Sequence, residues 1–136
     1  MDSRTVRQRH GARAEDLAAA HLQALGWRVI ARGVRIGRDE IDILAIDPGP
    51  PVTLVAVEVR SAVTGRFGAP EESVNARKLR NLYRGAAKLR ALRFLPGGEP
   101  IPRLTWRVDL VAVDVMPQLG HNIGGPTFRH LRALSG

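Results

Sequence analysis

The chain has 136 residues, and its 21 Lys and Arg against 13 Asp and Glu give it a net charge of +8. It has no cysteine, which excludes disulfides, thiol nucleophiles, Cys-ligated zinc and iron–sulfur clusters. The length predicts a single domain over 1–136, and no apolar run reaches the roughly 20 residues that a membrane span requires. With no secretory leader visible before Ala14, the sequence predicts a cytoplasmic protein without a membrane partner.

The first half of the chain predicts one helix followed by three strands. Residues 1–10 are predicted to be a basic arm, and apolar residues at helical spacing predict a helix over Gly11–Leu25. Trp27–Arg32 is predicted as a short strand. The aliphatic and β-branched segments Ile41–Asp47 and Thr53–Arg60 predict two further strands, which a Pro-rich turn joins as a hairpin.

The second half predicts a loop, a long helix and one more strand. The loop covers 61–70, and Pro70 with two following acids begins a helix that ends at about Leu92. Leu104–Met116 is predicted as a strand, and 117–136 is a Gly-rich tail without assigned structure. The order α-β-β-β-α-β predicts a mixed-sheet α/β fold with the helices packed on the sheet.

Arginine dominates the basic residues, because Lys78 and Lys88 are the two lysines of the chain. This positive charge attracts polyanions, so DNA is the predicted partner, with a solvated Arg-rich surface as the alternative. The 4% aromatic content argues against a single-strand binder built on stacking platforms. The candidate phosphate contacts are Arg38, Arg66, Arg77, Lys78 and Arg84.

Acidic residues in two neighbouring strands form the most informative pattern. A turn centred on Pro50 places Asp42 opposite Glu58, with their Cβ atoms about 5 Å apart. Two opposed negative charges are unfavourable, and a divalent cation such as Mg²⁺, which takes one or two carboxylates, offsets them. The alternative is that Asp42 ends its strand and that Glu58 pairs with Arg60 or Arg38.

Several short segments occur in an order that is seen in a known family. They are Gly11 with Glu15, Gly26-Trp27, Asp39–Ile43, Val57–Arg60, Arg66–Gly68, Lys78-Leu79 and Arg107–Val111. In this order the chain resembles YraN-like proteins over residues 8–115. These are small bacterial proteins of the restriction-endonuclease-like fold, similar to Holliday-junction resolvases. The resemblance implies that fold and an active site of the PD-(D/E)xK type.

The resemblance also implies roles for individual residues. Glu15 is the helix-borne acid near the site, Asp42 and Glu58 bind the metal, and the backbone carbonyl of Val59 adds a ligand. The implied cofactor is Mg²⁺ or Mn²⁺, which stabilises charge on the phosphate and helps to generate hydroxide. The implied reaction is phosphodiester hydrolysis in DNA. By analogy with resolvases, the substrate is branched or structured DNA and the protein is a homodimer.

Two positions depart from the family pattern. Arg60 stands where the motif has its catalytic lysine, and Asp39 replaces the usual glycine. Arginine keeps its proton, whereas a buried lysine can lose it, so the two differ as catalytic groups. This leaves three hypotheses. The first is a metal-dependent DNA endonuclease, the second is a catalytically impaired nucleic-acid-binding protein, and the third is a structural protein with an incidental Arg-rich surface.

Overall fold

The computed structural model describes residues 6–62, 76–114 and 126–134. Two helices and five strands form within these ranges. They are α1 (Val6–Ala24), β1 (Arg28–Ile36), β2 (Asp39–Asp47), β3 (Thr53–Ala62), α2 (Ala76–Ala91), β4 (Thr105–Asp114) and β5 (Thr127–Leu131). The predicted order of elements is confirmed, and β5 follows it.

The five strands form one mixed sheet in the order β1-β2-β3-β4-β5. Neighbouring strands are antiparallel except for β3 and β4, which are parallel and are joined through α2. Parallel strands need a long crossover connection, and the helix supplies it. The predicted mixed α/β class is therefore confirmed.

Each face of the sheet carries one helix, so the fold has three layers and two cores. Small and aliphatic side chains spaced four residues apart, Ala14, Ala18 and Leu22, pack α1 on one face. On the other face α2 packs through Leu82 and Leu89. Packing of an amphipathic face supplies most of a helix's stability, which explains why both helices form where the apolar spacing predicts them.

The element boundaries differ from the predictions in three places. Residues 6–10 belong to α1 and not to a basic arm. β1 extends to Ile36, beyond the predicted end at Arg32, because an edge strand tolerates charged side chains that face solvent. β5 lies in the Gly-rich tail, where no structure is predicted, and its half-exposed five residues carry a weak strand pattern.

No helix within the three described ranges is long and apolar enough to cross a membrane. Other predictions concern residues outside these ranges. They are the first five residues of the basic arm, most of the loop 61–70, the start of the second helix at Glu71, and part of the Gly-rich tail.

The alternation of side chains along β2 reverses at Asp42. Ile41 packs in the α2 core, whereas Ile43 and Ala45 pack in the α1 core, although residues two apart in a regular strand share a face. Gly33 lies opposite Asp42 in β1 and has a φ of +58°, a conformation that favours glycine. The two strands therefore kink together, and the kink turns the Asp42 carboxylate toward β3.

Candidate active site

The register of β2 and β3 brings the two predicted metal-binding acids together. The strands pair as predicted up to Ile43 and Val57, which makes Asp42 and Glu58 the next opposed positions. At this point a side-chain hydrogen bond links the two strands in place of a backbone one. Oδ2 of Asp42 accepts a hydrogen bond of 2.8 Å from the Val59 N–H. The N–H and C=O of a strand residue lie on the same edge, so the Val59 carbonyl also faces β2.

Asp42 and Glu58 are here called the acid pair, and Glu58 contributes to a large change in the pKa of Asp42. Burial, then repulsion by Glu58 and a hydrogen bond with its carboxyl, raises the pKa of Asp42 to about 7, although the Val59 N–H bond opposes the shift. Two carboxyls that share a site hold a proton between them until a cation replaces it. The Asp42 carboxyl therefore holds its proton more tightly than an ordinary aspartic acid does.

Arg60 lies beside the acid pair, with its Nη2 atom 3.2 Å from Glu58 Oε1, and each of the two side chains is 19% exposed. The alternative role predicted for Glu58, an ion pair with Arg60, is thus present. The buried Nε and Nη2 atoms of Arg60 have no hydrogen-bond partner among the described residues. Unpaired buried N–H groups are costly, so this guanidinium has hydrogen-bonding capacity left for an anion.

Glu15 approaches the acid pair from α1. Burial, followed by the negative charge of Asp42, raises the pKa of Glu15. Arg32 opposes this shift, because its Nε atom donates a hydrogen bond of 3.2 Å to Glu15 Oε1. Its Nη2 atom donates another, of 2.6 Å, to Asp16. The structure therefore places Glu15 near the acid pair, as the resemblance implies.

Asp39, the additional acid of this region, is fully paired. Its carboxylate accepts hydrogen bonds of 2.8 and 3.0 Å from Arg84 and one of 3.0 Å from Lys88. The Arg84 and Lys88 bonds hold the pKa of Asp39 well below its usual range. Gly85 permits the close approach of α2, since a Cβ there would lie 3.3 Å from Asp39 Cβ. Asp39 therefore anchors α2 to β2, and its negative charge is compensated by the two basic residues of the helix.

A basic groove follows α2 beside the acid pair. Glu58, Lys78 and Asn81 line a small cavity of about 180 Å³. Asn81 and Arg38 also line a larger groove of about 1130 Å³, here called the α2 groove. Its charged lining residues are Arg38, Asp39, Arg77, Arg80 and Arg84. Guanidinium groups bind phosphate with two hydrogen bonds, so this lining suits the backbone of a nucleic acid.

Four of the predicted phosphate contacts line these two cavities: Arg38, Arg77, Lys78 and Arg84. They differ in how much charge they can offer, because Arg84 already binds Asp39. Arg80 joins the predicted set from the same groove. Arg66 lies outside the described residues.

The acid pair suits a divalent cation as part of a coordination shell. It provides two carboxylates, with the Val59 carbonyl on the same edge. The described part of the chain has no group of three or more His, Asp or Glu arranged to hold an ion. Mg²⁺ tolerates such a partial shell, since it keeps several waters and takes one or two carboxylates with phosphate oxygens. The residues therefore fit Mg²⁺ or Mn²⁺, with Arg60 as a competing positive charge.

Two features that shape the site were not predicted. Gly33 allows the kink, and a lone glycine inside a strand pattern is the sequence signal for such an irregularity. The bonds from Arg84 and Lys88 to Asp39 join residues 45 and 49 positions apart. No local pattern in the sequence reports a contact at that separation.

Fold and site together define a class of protein. It is a mixed α/β protein in which the acid pair lies where β2 and β3 separate, beside the basic groove along α2. A sequence model of the family described as uncharacterised protein family UPF0102 matches residues 14–113, and the chain belongs to this family. The YraN-like resemblance is thereby confirmed. The match includes the acid pair, α2 and most of β4, and it ends before β5.

Relatives of the same family match most of the chain. A UPF0102 protein of Symbiobacterium thermophilum is 43% identical over 110 residues, which cover 81% of this chain and 86% of the relative. One of Chlorobaculum tepidum is 35% identical over 123 residues, covering 90% and 88%. One of an Arthrobacter species is 33% identical over 124 residues, covering 91% and 93%.

Proposed function

We propose that this protein is a metal-dependent nuclease that hydrolyses phosphodiester bonds in DNA, on a fold of the restriction-endonuclease-like kind. One observation carries the proposal. Two half-buried carboxyls, Asp42 and Glu58, meet where β2 and β3 part, and the pKa of Asp42 is raised to about 7. Perturbed acids beside a basic groove are typical of a site that binds a cation together with a phosphate.

The chain's own residues would position DNA at the acid pair. Arg38 and Arg80 in the α2 groove bind backbone phosphates, which holds one phosphodiester at the carboxylates. Arg60, whose Nη2 atom lies 3.2 Å from Glu58 Oε1, would place positive charge beside that phosphate. Glu15 adds negative charge behind Asp42 and strengthens the attraction for a cation.

The metal fits the acid pair and the Val59 carbonyl. A divalent cation bound there supplies Lewis-acid stabilisation of the phosphate and a water of lowered pKa. DNA is the proposed partner, and branched DNA with a two-fold axis is the substrate that the resolvase analogy favours. Such a substrate requires two copies of the chain.

DNA binding without cleavage is the second candidate function, and the ion pair between Arg60 and Glu58 favours it. Arginine does not give up its proton, so Arg60 cannot act as a general base. Its charge also competes with a cation for Glu58. In this alternative, the α2 groove holds DNA while the acid pair has lost hydrolysis.

A cleavage assay tests the two candidates together. Labelled four-way junction, flap, single-stranded and linear duplex DNA are incubated with Mg²⁺, Mn²⁺ or EDTA. The native protein, Glu58→Gln and Arg60→Lys are compared, with Glu99→Gln as a control for loss of an exposed acid. The nuclease proposal predicts metal-dependent cutting by the native protein and the control, and none by Glu58→Gln.

The other outcomes separate the alternatives. Cutting by Arg60→Lys alone would establish the binding protein and identify Arg60 as the cause of its inactivity. Absence of cutting by every form, together with DNA binding that weakens steeply with salt, would exclude the nuclease and retain the binding function. Absence of both cutting and binding would contradict the two candidates.

A further inference from the structure

Beyond the C-terminal end of α2, the chain forms a tight hairpin over Arg93–Ile101. The Ile101 N–H donates to the Arg93 carbonyl at 2.9 Å, and the Leu95 N–H donates to the Glu99 carbonyl at 2.8 Å. A third bond of 2.8 Å, from Gly98 N–H to the Leu95 carbonyl, closes the tip. The hairpin backbone is therefore held in one conformation.

The hairpin buries its aliphatic side chains and exposes its aromatic one. Leu95 and Ile101 are 6% and 9% exposed in the α2 core. Phe94 lies between Arg93 and Leu95 and is 56% exposed, more than any other exposed large hydrophobic side chain in the described ranges. The hydrogen-bonded hairpin therefore presents the flat face of a phenyl ring to solvent, where a partner can stack on it.

The surroundings of the hairpin are basic. Arg90, Arg93 and Arg103 line a groove of about 580 Å³ together with Trp106. Glu99, at the hairpin, is the acid of this segment. Arg93 and Ile101 of the hairpin line this basic groove, and the exposed Phe94 follows Arg93 in the chain. This combination suits a nucleic-acid strand, because a base stacks on an exposed ring while phosphates pair with arginines.

This groove continues into the α2 groove through shared lining residues. Arg90 and Trp106 also line a cavity of about 260 Å³. Tyr83 and Leu134 belong both to that cavity and to the α2 groove. The 16 residues of α2 span about 24 Å, which is roughly the rise of seven base pairs.

We propose that Phe94 stacks on an unpaired base at the end of a duplex that lies along α2. The protein would then select DNA in which paired and unpaired segments adjoin, such as forks, flaps and junctions. The inference rests on the proposed DNA binding and does not require cleavage. One stacking position at a duplex end also agrees with the low aromatic content, which disfavours a platform for several single-stranded bases.

The test compares a forked duplex, with 2-aminopurine at its first unpaired position, with a blunt duplex of equal paired length. Affinity and 2-aminopurine fluorescence are measured in EDTA for the native protein, Phe94→Ala and Phe94→Tyr. Leu25→Ala is the matched control, because Leu25 is an apolar residue of 47% exposure that follows α1, away from α2 and the hairpin.

We expect Phe94→Ala to lose about tenfold in affinity for the fork, which is the scale of stacking one base. Its affinity for the blunt duplex stays unchanged, and the quenching of 2-aminopurine disappears. Phe94→Tyr retains both properties because its ring still stacks, and Leu25→Ala behaves like the native protein.

Three results would overturn the inference. Equal affinity of the native protein for fork and blunt duplex would remove the selection while leaving DNA binding in place. An equal loss on both substrates in Phe94→Ala would assign the ring a general or structural role. Conversion of a dimer to a monomer in Phe94→Ala, with unchanged affinity for the fork, would assign the ring to a contact between copies. Failure to bind any DNA would contradict the proposed function itself.

Discussion

Asp109 and the acid pair lie in the same sheet, but neighbouring groups compensate their negative charge to very different extents. Asp109 in β4 is fully buried and accepts hydrogen bonds from Arg107, His130 and the Ala133 N–H, all between 2.9 and 3.0 Å. Burial acts to raise the pKa of Asp109, but the bonds from His130, Arg107 and Ala133 hold it below its ordinary value. At the acid pair, burial and repulsion raise the pKa of Asp42 instead.

The compensation at Asp109 extends into a wider network. Arg107 also binds Asp47 at 2.8 Å, and the Trp27 ring lies 5.4 Å from the guanidinium carbons of both Arg107 and Arg132. The network ties β5 and the segment after it to the sheet. The acid pair has fewer partners than Asp109, namely the Val59 N–H on Asp42 and Arg60 beside Glu58. The difference between the two sites is therefore local and does not extend to every acid of the sheet.

The largest effect is expected from Asp109→Asn. The substitution removes the negative charge that Arg107 pairs with and turns an amide NH2 toward groups that donate to one Asp109 oxygen, and breaking a buried ion pair costs about 3–5 kcal/mol in the free energy of unfolding. Urea unfolding of the purified variant measures this loss. The exposed acid Glu99 provides the control, since Glu99→Gln should change stability by less than about 0.5 kcal/mol. Equal effects of the two substitutions would show that the Asp109 network is not structural.

A much smaller effect on stability, and of the opposite sign, is expected from Asp42→Asn. The amide keeps an oxygen for the Val59 N–H and removes the repulsion with Glu58, so in EDTA the variant should be as stable as the native protein or more stable. The same variant should lose Mn²⁺ binding in isothermal titration calorimetry. Strong destabilisation would place Asp42 with Asp109 among the structural acids.

The acid pair also predicts a pH dependence. The pKa of Asp42 rises from 3.8 to about 7 on folding, so the folded state holds the proton more tightly than the unfolded state does. Its contribution to stability is greatest below about pH 4 and falls as the pH rises toward 7. In EDTA, the native protein should therefore lose stability relative to Asp42→Asn over this interval. If the difference in stability between the two proteins stays constant over this pH interval, the raised pKa of Asp42 is contradicted.

The smallest effect concerns the α2 groove. Arg80→Gln should make the plot of log affinity for duplex DNA against log salt shallower by about 0.9, the contribution of one phosphate contact. Arg13→Gln, an exposed arginine on the opposite helix, should leave the slope unchanged. Fluorescence anisotropy at four salt concentrations measures both. Equal slopes for the two variants would exclude Arg80 from the DNA interface.

Local sequence patterns predicted much of the fold. The register of β2 and β3 followed from strand alternation and the Pro-rich turn, and the structure confirms it up to Ile43 and Val57. The continuation of β1 past Arg32 was not predicted, because charged residues and Gly33 resemble a strand end. β5 was missed because its five half-exposed residues gain their stability from pairing with β4 and from the Asp109 network.

The residues of the candidate site were predicted from the sequence, but their spatial arrangement was not. Asp42, Glu58, Val59 and Arg60 do lie together, because they follow from one register. The reversal of side-chain alternation at Asp42 could not be predicted, since it depends on a positive φ at Gly33 in the neighbouring strand. The pairing of Asp39 with α2 is equally a tertiary contact, without a local signal.

The parallel crossover between β3 and β4 has a consequence for the order of assembly. The bond from Val59 to Asp42 joins residues 17 positions apart within consecutive antiparallel strands. The contact between Thr53 and Thr105 closes the crossover, which contains α2, over 52 positions. Because contacts of large sequence separation form slowly, the carboxylates should come together with the first three strands. The surface proposed to bind DNA is then completed in a later folding step.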